Sequence, residues 1–348
     1  MSLRSLSPAI RRFALAGAVI AGIFAGTQAF AAAPLPTTSN LGSPAGRPHF
    51  MLALGQQPET NLGSTNASAG PHNSCCTPPL INSGGPVEKP ANVYLDFWGA
   101  QWSVGWADVG TSGPTTYPNA AATIQNYLND FFTAVAGGTT GWNNSQLQYG
   151  SSTGPVYHGE WTDTSSVPPL PVVTDNCNEL CFSGSAQNFT QLGMEALAAE
   201  AHFGYTAGAD YMIFLPPGAY PAGFGVYCAY HDEITDSQGR KISYSVMPYL
   251  PNVNSLCGEN YVNPTDDAYG HGFLDGYSVV GGHEFAEAET DPFPLTAPAW
   301  RTSDGGETGD ICAWGSPSTY PSGNISTTSN HWAVQSLWSN SANACVMN

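Results

Sequence analysis

The chain has 348 residues, of which 42% are hydrophobic and only 10% charged, with 26 acidic against 8 basic side chains and a formal net charge of −18. That length supports one large domain or two small ones, and a field so negative repels nucleic acid and anionic membrane surfaces, excluding both as expected partners. It suits cation binding and mildly acidic surroundings, where part of the self-repulsion is titrated away.

Arg4, Arg11 and Arg12 make a basic start, Phe13 to Phe24 is a short apolar run, and Ala29-Phe30-Ala31 offers small residues for cleavage. This is the pattern of a secretory signal, so residues 1–31 are expected to be removed near Ala31. Five basic residues then remain against the same 26 acids, a mature charge of 5 − 26 = −21. A secreted protein, extracellular or periplasmic, is expected; no later stretch approaches the roughly 18 apolar residues of a membrane span. Its eight cysteines favour disulfides in such a compartment. The expected pairs are Cys177 with Cys181, Cys228 with Cys257 and Cys312 with Cys345. A bridge between the adjacent Cys75 and Cys76 is strained, so each is expected to pair elsewhere or with its neighbour only as a minor form.

Residues 32–90 are rich in Pro, Gly, Ser, Thr and Asn without apolar periodicity, and read as a low-complexity linker or an inhibitory pro-segment. The globular domain is expected over 91–348. It opens with Ala91 to Gly99, an alternating aromatic and β-branched run that predicts a buried strand. Ile124, Tyr127, Leu128, Phe131 and Phe132 recur at helical spacing in a helix over Ala120–Val135, closed by Gly137-Gly138. A short strand is expected around Leu147–Tyr149, and a second helix over about Ala186–His202. The continuous apolar run Asp210–Leu215 suggests a strand covered on both faces, and Ser243–Tyr249 another. Strand, helix, helix, strand in this order predicts an α/β fold, with α+β as the alternative: one domain with a mixed sheet, a central metal-binding helix and disulfide-tied loops. The tail from His331 to Leu337 reads as a closing strand held by Cys345.

The chemistry concentrates in Gly281 to Pro292. A helix ending at that proline sets His283 and Glu287 four residues apart on one face, with Glu284 beside them. Zinc peptidases use His-Glu-x-x-His, two metal-ligating histidines and a glutamate base. Here Glu287 replaces the second histidine, and a carboxylate also ligates zinc. Asp275 is expected to cap this helix. Two helical ligands need a third from elsewhere. Asp310, in a glycine-rich loop beside Cys312, is favoured over Glu307, which is placed behind it. His231 and His271 are candidates to steady an oxyanion. The competing readings are a solvated acidic helix face, a calcium loop of oxygen ligands, and a glycosidase pair made of Glu284 and Glu287.

Four features resemble the plant Exordium, or phosphate-induced, extracellular proteins. They are the run Val93 to Gly99 with its following helix, Tyr211 to His231 with its Cys-Ala-Tyr-His, the Thr290-Asp291-Pro292 turn, and the cysteine-closed end. The chain is still more similar to exported bacterial proteins carrying His-Glu-x-x-Glu-Ala-x-Thr-Asp-Pro and Gly-Glu-x-Gly-Asp-x-Cys. The resemblance covers roughly Ala91 to Cys345 and implies secretion and a shared fold. The plant proteins lack the His-Glu pair and are growth-related factors, so the resemblance alone implies a non-catalytic, cell-wall-associated protein with a structural or calcium-binding acidic site.

The residues themselves predict a secreted zinc metallopeptidase, a hydrolase active on protein or peptide substrates and monomeric. His283, Glu287 and Asp310 hold one zinc ion, with calcium or manganese as alternatives; Glu284 is the general base and His231 assists. Two carboxylate ligands leave the metal less net positive charge, so weaker or differently tuned activity is expected.

Overall fold

The computed structural model describes residues 49–54, 78–110, 116–136, 138, 140–152, 155–167, 185–221, 224–263, 272–314 and 321–348. Six strands form the central mixed sheet: β1 (His49–Leu52), β2 (Asn92–Phe97), β3 (Val156–Trp161), β4 (Ala209–Phe214), β5 (Tyr227–Thr235) and β6 (Lys241–Met247). Their order is β1-β5-β6-β4-β2-β3. β2 runs parallel to β3 and β4, and β4 parallel to β6. β5 is antiparallel to both β6 and β1. The expected α/β architecture with a mixed sheet is therefore present, and the described residues belong to one compact unit.

Side-chain alternation along β2 explains the layering. Val93, Leu95 and Phe97 pack with Ile124, Leu128 and Phe131 of α1 (Ala120–Ala136) and with Val279, Val280 and Phe285 of α3 (Asp275–Thr290). Tyr94 and Trp98 pack instead with Leu192, Ala196 and Leu197 of α2 (Ser185–Phe203). Helices thus cover both faces, and the parallel strands β2 and β4 are buried along their whole length.

Every residue of α3 is buried, which removes the reading of its acidic face as solvated. One side lies on the sheet. The other is covered by the hairpin of β7 (Ser322–Ser326) and β8 (His331–Gln335), whose Ala333 carbonyl accepts the Ser278 hydroxyl at 2.5 Å. Gly282 admits the Trp142 indole: a Cβ there would stand 2.9 Å from the ring. The helix ends at the expected turn, with the Asp291 amide donating to the Glu287 carbonyl at 2.7 Å.

Two local expectations are corrected. Leu147–Tyr149 belongs to a 3₁₀ helix over Trp142–Tyr149, bracketed by Gly141 and Gly150 at positive φ and tied by the Trp142 indole N–H to the Gln335 carbonyl. A distant contact sets that conformation, and local alternation does not. Asp275 does not cap α3, whose N-cap is Leu274. Its carboxylate instead accepts the amides of Val262 and Asn263, tying down the preceding loop.

Cys228–Cys257 and Cys312–Cys345 are bridged as expected. The expectations for Cys75, Cys76, Cys177 and Cys181 lie outside the described residues. The two bridges suggest an oxidising, extracellular environment. Among the described residues no helix is long and apolar enough to cross a membrane. Within the stretch read as linker or pro-segment, His49–Leu52 forms β1, Ile81–Asn82 pairs with Trp300–Arg301, and Leu80 and Glu88 are buried.

Candidate metal centre

The helical spacing of His283, Glu284 and Glu287 aims all three side chains into the protein, where each is wholly buried. His231 on β5 faces them from the sheet. The loop after Arg301 brings in Glu307 and Asp310, and the disulfide of Cys312 fixes its end. All five candidate residues, His231, His283, Glu284, Glu287 and Asp310, thus gather in one place, with Glu307 among them. His271 lies outside the described residues. His49 on β1, directly paired with His231, also points into the cluster, its ring centroid 5.3 Å from that of His231.

Glu287 is the hub. Its Oε1 accepts the backbone N–H groups of Gly309 at 3.1 Å and Asp310 at 3.0 Å. That leaves Oε2 facing His283 Nε2 at 3.2 Å, His49 Nδ1 at 3.2 Å and His231 Nδ1 at 3.7 Å. His283 Nε2 also lies 3.7 Å from Asp310 Oδ1, and His49 Nε2 3.2 Å from Asp310 Oδ2. Glu284 Oε2 lies 3.3 Å from His231 Nδ1, whose Nε2 is 3.5 Å from Glu307 Oε2. Arg301 Nε pairs with Asp291 and lies 3.4 Å from Glu307 Oε1.

These separations are informative. Charge-assisted N–H to carboxylate bonds run at about 2.7–2.9 Å, whereas two atoms each about 2.0–2.1 Å from a tetrahedral zinc lie roughly 3.3 Å apart. The imidazole–carboxylate separations of 3.2–3.7 Å run longer than the first and bracket the second. His231 Nε2, His283 Nε2, Glu284 Oε1 and both oxygens of Glu307 are buried without a hydrogen-bond partner. Such atoms are costly unless something else satisfies them. Two overlapping groups, His283/Glu284/Glu287 and His49/His231/Glu287/Glu307, hold ligand atoms within 4.8 Å of one another and could hold a metal ion.

Electrostatics points the same way. Burial opposes charge on His49, but Asp310 and Glu287 outweigh it and raise its imidazole to about 9. Burial would raise Glu287, yet His283 and His49 hold it well below the usual carboxylate range. Burial, and then the Glu287 charge, push Glu284 well above that range. Glu307 is pushed up by burial, Asp291 and Glu287, and Asp310 by burial and Glu287. Burial and the charge on His49 hold His231 well below its usual value. One ionised carboxylate sits among imidazoles, ringed by acids that keep protons for lack of more positive charge nearby. A divalent cation would supply that charge.

Sequence reasoning missed the supports. Gln335 on β8 faces His283 Nδ1 with its Oε1 at 3.3 Å and donates from Nε2 to the Gly309 carbonyl at 2.8 Å. An amide oxygen against Nδ1 places the ring proton there and leaves Nε2 free to ligate. A Cβ on Gly309 would stand 2.5 Å from His283 Nδ1. His49 carries no local signal beyond a short run after Pro48.

A separate crevice of about 540 Å³ lies beyond the carboxyl ends of β2, β3 and β4, lined by Gln101, Trp106, Val167 and Pro217 among others. Open α/β folds often bind ligands there. None of these lining side chains titrates.

Comparison with protein families, curated proteins and solved structures returns no match for this chain.

Proposed function

We propose that the chain is a secreted metal-dependent hydrolase, a zinc endopeptidase, with His283, Glu287 and Asp310 as the metal-holding residues and Glu284 as the general base. The observation carrying this reading is the inward-facing His283, Glu284 and Glu287, with His283 Nε2 3.2 Å from Glu287 Oε2 and no hydrogen-bond partner of its own. Three imidazoles in the cluster favour zinc over calcium, which takes oxygen ligands. When bound, zinc polarises the scissile carbonyl and makes water a usable nucleophile near neutral pH.

The remaining steps belong to the protein. Glu284 Oε1 is unpartnered and, ionised once a cation sits in the cluster, would take the proton of the attacking water and carry it to the leaving amine. His231, against the other Glu284 oxygen, orients the base and is the candidate donor to the oxyanion. The preference for peptide bonds rests on the helix pattern shared with zinc peptidases.

Metal analysis of protein purified without added metal, combined with casein hydrolysis, tests this. Stoichiometric zinc is expected. Glu284→Gln retains the zinc and loses about 100- to 10,000-fold in turnover, whereas His283→Ala loses the metal. Full casein hydrolysis by both variants would end the mechanism.

A further inference from the structure

With β1 in place the site is sealed. His231, His283, Glu284, Glu287 and Glu307 have no solvent exposure, while Asp310 keeps 12% and His49 keeps 18% of the side chain exposed. No substrate reaches Glu284 in this arrangement. The element in the way is a four-residue strand at the edge of the sheet, drawn from the region before Ala91.

The manner in which β1 fills the gap is specific. It lies antiparallel on β5, with His49 opposite His231, Phe50 opposite Tyr230 and Met51 opposite Ala229. Its side chains alternate. Met51 is buried in the α3-side core, the side on which His49 meets the cluster, whereas Phe50 and Leu52 pack on the α2-side core. Phe50 sits against Tyr227 and Tyr230, with centroids 4.5 and 5.6 Å away. The Trp314 indole N–H clamps the Leu52 carbonyl at 2.6 Å. His49 presents both ring nitrogens to site carboxylates. Main-chain pairing to a sheet edge, with alternate side chains in pockets, is how proteins bind extended peptides.

We infer that the outer edge of β5 is the binding edge for an extended polypeptide substrate, and that residues His49–Leu52 occupy it as a displaceable internal strand whose histidine covers the metal centre. The identity of the visitor as a substrate rests on the hydrolase reading; the exchange of the strand does not. The substrate class is an extended chain with a sizeable apolar residue where Met51 lies and aromatic or branched residues where Phe50 and Leu52 lie.

The test is made on the whole chain with a specific protease site inserted after Thr60. After cutting, the N-terminal piece is challenged with a fluorescently labelled peptide of residues 47–54. Saturable uptake of the peptide with release of the piece is expected, and the His49→Ala peptide binds about 10- to 100-fold more weakly, since it lacks contacts to charged groups. Casein hydrolysis rises about tenfold or more once the piece is removed, because a blocked fraction of sites becomes competent. Retention of the piece against excess peptide, or unfolding on its release, makes β1 a permanent strand and overturns the inference. Exchange with no hydrolysis by any form sinks the hydrolase reading while leaving the binding edge intact. A second variant, His49→Ala in the uncut chain, retains zinc and gains activity; loss of zinc would make His49 a metal-holding residue and overturn its role as a cover.

Discussion

The two faces of the central sheet bury acids in opposite ways. On the α3 face, Glu284, Glu287, Glu307 and Asp310 stand among three imidazoles and Arg301. On the α2 face, buried Asp96 of β2 meets buried Glu195 of α2, with Asp163 alongside. The Asp96 oxygens find no ordinary donor. They come within hydrogen-bonding reach of Glu195, and that bond exists only when one of the two carboxyls carries a proton. Acids interleaved with imidazoles could hold a cation. Acids facing acids compose a site for protons.

Exchanging a carboxylate for an amide on each face breaks the comparison most directly. At Glu287 the exchange puts an N–H₂ where Oε2 meets three imidazole nitrogens, leaving the cluster without its ionised acid. Glu287→Gln is expected to cost about 3–5 kcal/mol in urea denaturation, the range for breaking a buried charge pair, and to abolish metal retention. An unchanged midpoint with full metal content would show that Glu287 is not the hub.

A smaller effect is expected at Gly309. Alanine there pushes a methyl into His283 and toward Glu287 Oε1, so Gly309→Ala is expected to cost about 1–3 kcal/mol by overpacking and to weaken metal binding. Equilibrium dialysis and a thermal melt together measure both. Next comes Gln335→Leu, which removes the partner of His283 Nδ1 without touching the metal side of the ring. An expected loss of about 10- to 100-fold in metal affinity, with the fold intact by circular dichroism, marks Gln335 as a positioning residue. A loss of stability with unchanged affinity would assign it to packing alone.

Much of this architecture is legible in the sequence. Val93 to Phe97 and Asp210 to Phe214 read as strands because parallel strands buried on both faces need no polar alternation. The helix over His283 to Thr290 reads from two glutamates spaced after a histidine and a stop at Pro292. The rest is written in contacts between distant segments. His49 lies 238 residues from Glu287 in sequence, and neither it nor Gln335 sits in a pattern that names its partner. The strand Val156–Trp161 passed unread as well, with a glycine at its centre and half its residues facing outward. Glu307, placed behind Asp310 by proximity to Cys312, lies as deep in the cluster as Glu287, with Arg301 Nε 3.4 Å from its Oε1.

The smallest expected effect belongs to the other face and reverses the sign. Burial raises both Asp96 and Glu195 well above their ordinary values of 3.8 and 4.5; the hydrogen bond from Glu195 partly offsets it at Asp96, while Asp96 and Asp163 add to it at Glu195. The folded state therefore holds protons that the unfolded chain releases, and stability must fall as pH rises above that ordinary range. The slope is about 1 kcal/mol per pH unit for each retained proton, present in full at low pH and eroded on going from about pH 4.5 through neutrality. Asp96→Asn replaces the titrating carboxyl with an amide whose Oδ1 still accepts the Glu195 O–H. It is expected to be nearly neutral near pH 4.5 and stabilising by about 1 kcal/mol or more near pH 7.5, flattening the pH dependence of the urea midpoint. Parallel pH profiles for wild type and variant would show that Asp96 is ionised in the fold and that the two faces do not differ in kind. Converging profiles at low pH would confirm that this side of the sheet stores protons.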